Sequence, residues 1–413
     1  MQVVYARCCG IDVHKATAVA CVLITQADGT VQREVRTFST MTGALEVLSR
    51  WLHEHAVEQV ALESTGVFWQ PVFNILEEGG HAVLLVNPQH MRAVPGRKTD
   101  VADSVWLADL LRHGLLTASF IPPAPIRRLR ALTRYRVTVV HERSQEINRL
   151  QKVLESANIK LAAVATNILG ASGQRMLHAL AEGTEDDPAV LAEFAKGKLR
   201  KKLVLLRQAL EGRVEPHHRL LIGRLLEHIA SLSEAVEQME GEIARSVLPF
   251  AEEMTLLQTI AGIKQTAAAA ILAEIGADMS RFPDAKHLAS WAGVCPGNRT
   301  SAGKRKGSQT TDGDVWLRGI LGEVAWAAIH TKGTSFQAQY HRLVRRLGKL
   351  KALVAVMHSL LTVIYCVLRD RVPYHELGPD YLGPREAERR TRQHIRQLEE
   401  LGYTVTLTPR EVA

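Results

Sequence analysis

The stretch Lys98-Thr-Asp-Val-Ala-Asp-Ser-Val-Trp-Leu-Ala-Asp-Leu-Leu111 decides how the front of this chain is read. Val101, Val105, Ala108 and Leu111 recur at spacings of four and three, the period of an amphipathic helix. Asp100 and Asp103 stand three apart near its start and so share one face. One Asp in a first turn is ordinary, because it caps free N–H groups and suits the helix dipole. Two of them one turn apart repel unless a cation or a basic partner sits between them. On this segment alone, a capping Asp100 and a solvated Asp103 explain the pair as well as a bound metal does.

Two acids upstream change that balance. Val3–Asp12 is rich in β-formers and ends in Gly10-Ile-Asp-Val-His-Lys15. Ala16–Ile24 reads as a second strand, Asp28-Gly29 as a hairpin turn, and Val31–Phe38 as a third strand. A helix over Thr42–His55, a short strand Gln59–Glu63, a helix Phe68–Glu78 and a strand His81–Val86 follow. Three meandering strands, then alternating helices and strands, predict an α/β domain of other than pure Rossmann order. In that layout Asp12 lies on the first central strand and Glu63 ends the fourth, with the Asp100/Asp103 helix able to pack across both. Singly, each acid reads as a solvated strand end or cap. Jointly they call for a divalent ion. Two Mg²⁺ (Mn²⁺ can substitute) about 4 Å apart would stabilise an in-line displacement at a phosphodiester.

The 413 residues are enough for two or three domains with real cores, and 46% apolar with 23% charged residues is ordinary globular composition. Net charge is +8, unevenly placed. Residues 1–125 hold 9 Lys/Arg against 12 Asp/Glu, whereas the remainder holds 42 against 31. An acidic front and a basic remainder fit an enzyme whose metal site is in the first part and whose grip on an anion is elsewhere. Five scattered cysteines with no ligand spacing read as reduced, partly buried thiols of a cytosolic protein. The N-terminus does not read as a signal peptide, and Ala352–Leu368 reads as a buried core helix rather than a membrane span.

Ile121-Pro-Pro-Ala-Pro125 is a stiff linker and the first boundary. The next stretch, helical to about Ala165, is dense in arginine: Arg127, Arg128, Arg130 and Arg134 come early, with Arg136, Arg143 and Arg149 behind. A solvated helix face and a phosphate-facing surface explain that density equally well. Heptad-like spacing at Ile147–Val164 recurs at Leu225, Ile229, Leu232, Val236, Met239 and Ile243, implying an antiparallel hairpin, a coiled coil between subunits, or both. Leu256–Ile275 resembles a helix-hairpin-helix, with Lys264 in the turn. Gly293–Ser308 is a basic, hydroxyl-rich loop carrying Arg299, Lys304, Arg305 and Lys306, and two helices, Asp314–His330 and Lys349–Arg371, bury the rest. The tail from Pro373 looks peripheral.

Gly10-Ile-Asp12, Leu62-Glu-Ser-Thr-Gly66 and Lys98-Thr-Asp-Val-Ala-Asp103 resemble the DEDD signature of the insertion-sequence transposases of family one hundred and ten. That family includes bridge-RNA-guided recombinases and pilin-gene invertases. The resemblance spans roughly residues 5–370. It implies a RuvC-like (RNase H-like) catalytic domain over 1–121, a helical coiled-coil and nucleic-acid-binding region over 126–250, a mostly helical transposase domain over 255–372 and a tail over 373–413. Asp12, Glu63, Asp100 and Asp103 would be the metal-binding tetrad. Ser301, in Arg299-Thr-Ser-Ala-Gly303, would match the family's nucleophilic serine, although the family has Gly directly after it where this chain has Ala302. Spacing alone leaves Thr300 and Ser308 as competitors. Implied partners are donor and target double-stranded DNA, a structured non-coding guide RNA and further copies of the chain, as dimer or tetramer. Arg127, Arg128, Arg130, Arg134, Lys264, Arg299, Lys304, Arg305 and Lys306 would hold nucleic acid. A hydroxyl on a basic loop is a poor nucleophile alone; against a metal-loaded carboxylate cluster it would be activated. The competing readings are a hydrolytic RuvC-like nuclease or junction resolvase without a covalent intermediate, and a non-catalytic architectural binder.

Overall fold

The computed structural model describes residues 2–63, 66–86, 100–296, 300–301, 304–305, 310, 313–379 and 383–407. They divide into two compact units, Met1–Ile121 and Pro122–Ala413.

The first unit is a five-stranded mixed sheet with helices on both faces. Its strands are β1 (Arg7–Val13), β2 (Thr17–Thr25), β3 (Val31–Ser39), β4 (Gln59–Glu63) and β5 (Val83–Val86), in the order β3-β2-β1-β4-β5. The first three form an antiparallel meander, and β4 and β5 run parallel to β1. The β2–β3 turn is the expected one. Gly29 takes φ +84°, and Asp28 accepts hydrogen bonds from the Thr30 amide at 2.8 Å and hydroxyl at 2.6 Å, which hold its carboxyl below the usual range. β3 carries Arg33, Glu34 and Arg36 along an exposed edge, which discourages edge-to-edge pairing.

Strand alternation assigns the two faces. Cys9, Ile11 and Val13 of β1, with Val60 and Leu62 of β4, pack under α1 (Thr42–Glu54) and α2 (Trp69–Glu78) through Leu48, Trp51, Leu52, Val72 and Leu76. Cys8, Cys21, Leu23 and Ala61 point the other way, onto Leu107, Ala108 and Leu111 of α3 (Asp100–Arg112). The buried residues of α3 are Ser104, Leu107, Ala108, Leu110 and Leu111. Of the expected apolar face, Ala108 and Leu111 are buried and Val105 is half-buried against the same layer, while Ser104 and Leu107 extend the contact to one side. Burial pushes the Cys8 thiol up to about 12 and Cys21 to about 11, and lifts Cys9 well above its ordinary value. These thiols stay protonated and unreactive, in keeping with the reading of reduced cysteines.

The second unit is mostly helical. Two long helices, α4 (Ala124–Ser156) and α9 (Pro216–Ser246), run antiparallel side by side; Arg136 meets Glu240 near one end and Glu146 meets His228 nearer the other. The second heptad run forms this seam within one chain, with Ile229, Val236 and Ile243 buried and Leu225, Leu232 and Met239 half-buried. α4 stops at Ser156, earlier than the apolar spacing implied, and Asn158 takes φ +57°. The region beyond is a compact helical head. Its helices are α5 (Leu161–Val164), α6 (Ala171–Glu182), α7 (Pro188–Glu193) and α8 (Leu203–Leu210), around Met176, Leu177, Leu191, Leu206 and Ile222.

The remaining helices are α10 (Ala251–Gln258), α11 (Gln265–Ile275), α12 (Ala285–Trp291), α13 (Val315–His330), α14 (Ser335–Leu347), α15 (Lys349–Asp370) and α16 (Gly383–Glu400). α15 is long and apolar enough to cross a membrane by composition. Here it is a core helix, with Ala352, Val356, Leu360, Leu361 and Ile364 fully buried. α14 was not anticipated.

Because the α4–α9 seam is internal, Ile229→Ala is expected to cost about 2–5 kcal/mol in urea denaturation. Leu232→Glu combined with Met239→Glu should destabilise the chain while leaving particle mass by light scattering unchanged; a smaller particle with unaltered unfolding would place this seam between subunits.

Candidate active site

Gly10 sits under α3. A β-carbon there would lie 2.4 Å from the Ala108 nitrogen and 2.5 Å from the Ser104 carbonyl oxygen, both backbone atoms that cannot swing aside. Only glycine lets the helix settle directly on β1. Two residues on, and on the same face, comes Asp12, 5% exposed. The parallel register pairs Ile11 with Leu62, so the next step along sets Asp12 beside Glu63 at the strand ends. Asp103, half-buried, lies on the first turns of α3 on that same side of the sheet. Asp100 opens the helix, and its side chain lies outside the described residues.

A residue that sequence reading passed over joins this group. His14 Nε2 stands 3.3 Å from Asp12 Oδ2. The alternation of Asp12-Val-His14 was the available signal, since it returns the imidazole to the acid's face. Among the described residues, no three His, Cys, Asp or Glu side chains come close enough to hold a metal on their own. The donor chemistry nevertheless fits Mg²⁺ or Mn²⁺: hard carboxylate oxygens from two strand ends and a helix start, one of them well buried.

In the second unit, the basic loop is tied at its base and at its tip. Pro296 bridges to Thr310, and β6 (Thr300–Ser301) pairs with β7 (Lys304–Arg305) in register Thr300↔Arg305 and Ser301↔Lys304. Ser301 is thus the last paired residue of β6. Arg299, Lys306 and Ser308 lie outside the described residues, as do Ala302 and Gly303. The loop's return end is fixed firmly. Gly313 packs so tightly on the Ala292–Gly293 backbone that a β-carbon would approach to 2.2 Å. The Asp314 amide donates to Trp291 O at 3.2 Å, and its carboxylate caps α13 at Leu317 N, 2.8 Å away.

Asp314 belongs to a buried ionic network. Arg134 donates to both oxygens of Glu274 at 2.8 and 2.7 Å and to Asp314 Oδ2 at 3.2 Å, while its guanidinium lies over the Trp316 ring. Glu274 is 1% exposed at the end of α11. Arg130 donates to the Ala273 carbonyl at 3.0 Å and the Glu274 carbonyl at 2.7 Å, closing the C-terminus of α11. Burial draws Arg130 below its ordinary pKa. It acts against Arg134 too, where the hydrogen bonds and charges of Glu274 and Asp314 win and raise it. Both guanidiniums remain charged.

The structure therefore engages Arg130 and Arg134 inside the fold, whereas their sequence context had marked them for nucleic acid. Arg127 donates to the Pro122 carbonyl at 3.0 Å. Arg128 is exposed. Lys264 precedes α11 and is exposed at the lip of an 830 Å³ cavity also lined by Arg136, Gln265, Thr266 and Trp316.

Two outcomes follow. Gly10→Ala should lower unfolding free energy by about 1–3 kcal/mol, because α3 must lift off the sheet; an unchanged denaturation midpoint would mean the helix yields freely. Glu274→Ala leaves two arginines unneutralised and should cost about 3–5 kcal/mol; a neutral result by the same measurement would reduce the network to a surface feature.

Comparison with known proteins agrees with these features. Residues 9–159 match the DEDD transposase model of the IS110 family, described as a transposase, and residues 254–341 match the model described as "Transposase IS116/IS110/IS902 family". The pilin gene-inverting protein of Moraxella bovis is 26% identical over 381 residues, 88% of this chain and 96% of the relative. The IS116 uncharacterized 44.8 kDa protein of Streptomyces clavuligerus is 25% identical over 329 residues, 70% of this chain and 79% of its own length. Thermus thermophilus RuvC aligns over 27% of this chain and 99% of its own, at 15% identity and a TM-score of 0.23. With both matched segments belonging to one family and together spanning more than half of the sequence, the chain belongs to the IS110 family of transposases and recombinases.

Proposed function

We propose that this transposase cuts and rejoins double-stranded DNA with a metal-binding acidic tetrad, Asp12, Glu63, Asp100 and Asp103, and a serine nucleophile, Ser301. The observation that carries the reading is the seating of α3 on Gly10, which sets Asp12, Glu63 and the first turns of α3 on one side of the sheet. Bound divalent ions would supply charge neutralisation at the scissile phosphate. Asp12, buried beside His14, would help to hold them. Ser301 Oγ would attack the phosphorus, the P–O3′ bond would break, and the serine proton would end on the leaving 3′-oxygen. The resulting 5′-phosphoserine keeps the energy of the phosphodiester, and a new 3′-hydroxyl attacks it, releasing the serine. Clamping of the loop at Gly313 and Asp314 supports this assignment, because a nucleophile must be held near its attack geometry.

The reading extends to a structured bridge RNA that selects the DNA, to assembly as a dimer or tetramer, and to action in the bacterial cytoplasm. These extensions rest on the resemblance of Gly10-Ile-Asp12, Leu62–Gly66 and Lys98–Asp103 to the family's signature.

Asp12→Asn or Asp103→Asn should reduce strand cutting to background in Mg²⁺ or Mn²⁺ while DNA binding persists. Ser301→Ala should abolish recombination, and protease digestion of trapped wild-type adducts should leave a peptide spanning Thr300–Lys304 on a 5′-phosphate. An adduct at Ser308 would move the nucleophile. Full cutting by Ser301→Ala with no adduct would favour the hydrolytic nuclease. Sequencing RNA that co-purifies with the wild-type protein tests the guide.

A further inference from the structure

No Asp or Glu occurs between Glu323 and Asp370, although the chain has 43 of them in 413 residues. Within that stretch Arg342, Arg345, Arg346, Lys349 and Lys351 fall in ten residues, at the end of α14 and the start of α15. All five are exposed. Among the described residues, Arg345, Arg346, Lys349 and Lys351 have no ion-pair partner, in contrast to Arg130, Arg134 and Arg136 of α4.

The opposite side of α14 is committed to the fold. Phe336 is buried and stacks on Tyr374 at 6.0 Å, and Gln339 donates to Ser359 of α15 at 2.8 Å. The two helices thus form a hairpin pivoting on Gly348, at φ +77°. α15, 22 residues long, begins there without a side-chain cap or an acid in its first turn, and carries Lys349 and Lys351 at its positive pole. Cations at a helix start oppose the dipole and lower stability. Four unpaired cations beside that pole create a positive field that nothing described in the fold neutralises. An external polyanion would match it.

We propose that the exposed face of α14 and the first turn of α15 form a docking surface for the phosphate backbone of double-stranded DNA. The inference rests on DNA being the substrate of this transposase. Residues 341–351 contain no Trp, Phe or Tyr, so the surface offers no platform on which unstacked bases would lie. Its chemistry is that of sequence-independent phosphate contact, which positions a duplex without reading it.

The test is a triple variant, Arg345→Gln, Arg346→Gln and Lys349→Gln, titrated with a labelled 30-base-pair duplex across a salt series. Neutralising three contacts should flatten the log–log salt slope by roughly 2–3 and weaken duplex binding by about tenfold near physiological salt. The charge-preserving variant Arg345→Lys, Arg346→Lys, Lys349→Arg should recover the wild-type slope. If the triple variant melts early, the single Arg346→Gln decides, with an expected slope change of about one. Unchanged duplex affinity and slope overturn the proposal. So does a loss confined to structured RNA or to anionic lipid vesicles. Failure of the wild type to cut any DNA, with duplex binding and its slope intact, would count against the transposase chemistry and leave this surface standing.

Discussion

The contact between Gly10 and the backbone of α3 is the constraint on which the first unit depends. A single missing β-carbon lets a helix rest on the central strand, and that approach lowers an acid-bearing first turn towards two acid-bearing strand ends. The hydrophobic layer of Cys8, Cys21, Leu23 and Ala61 against Leu107, Ala108 and Leu111 supplies the driving force, while Gly10 sets the distance. Carboxylates brought together on one side of the sheet repel one another, so apolar packing has to hold the arrangement that their own charges oppose. In the function proposed above, the core beneath the acids would thus preorganise them for a cation.

In the second unit, arginine does two different jobs. Arg130 and Arg134 are half-buried, bonded to Glu274 and to the end of α11, and their charge is matched. Through Asp314 the same network anchors the point where the basic loop re-enters α13. The guanidinium's planar fork suits this task, since one side chain bridges two carboxylates with fixed geometry. At the α14–α15 corner charge is left unmatched at the surface. Net charge alone does not distinguish these uses; partners do.

Much of the first unit was legible in the sequence. The alternation in β1 and β2, the Asp28-Gly29 turn and the acid at the end of β4 each carry local signals, and local signals suffice for strands and turns. The periodicity of α3 picked out Ala108 and Leu111 on its buried face but passed over Ser104, a polar residue buried beside them. α14 escaped notice because its apolar side is thin, with Phe336 the sole buried residue of the helix. The role of Arg134 was not readable, since its partners Glu274 and Asp314 lie 140 and 180 residues away. The α4–α9 seam was readable as a seam, but its heptads are compatible with pairing inside a chain or between chains, and only the fold distinguishes them.

α4 joins two distant tasks with one uninterrupted rod. After Pro125 it contains neither proline nor glycine, so nothing in its backbone invites a hinge. Arg134, near its base, holds the loop's re-entry point, and Leu150 and Leu154, near its tip, are built into the core of the helical head. At 1.5 Å per residue those positions are about 30 Å apart. The separation between head and loop is thus a length written in residue number, as on a ruler. Each heptad gained or lost in both α4 and α9 would change it by about 10 Å while turning the head by only about 20°. Relatives with longer or shorter rods would carry the same two ends at a different gauge.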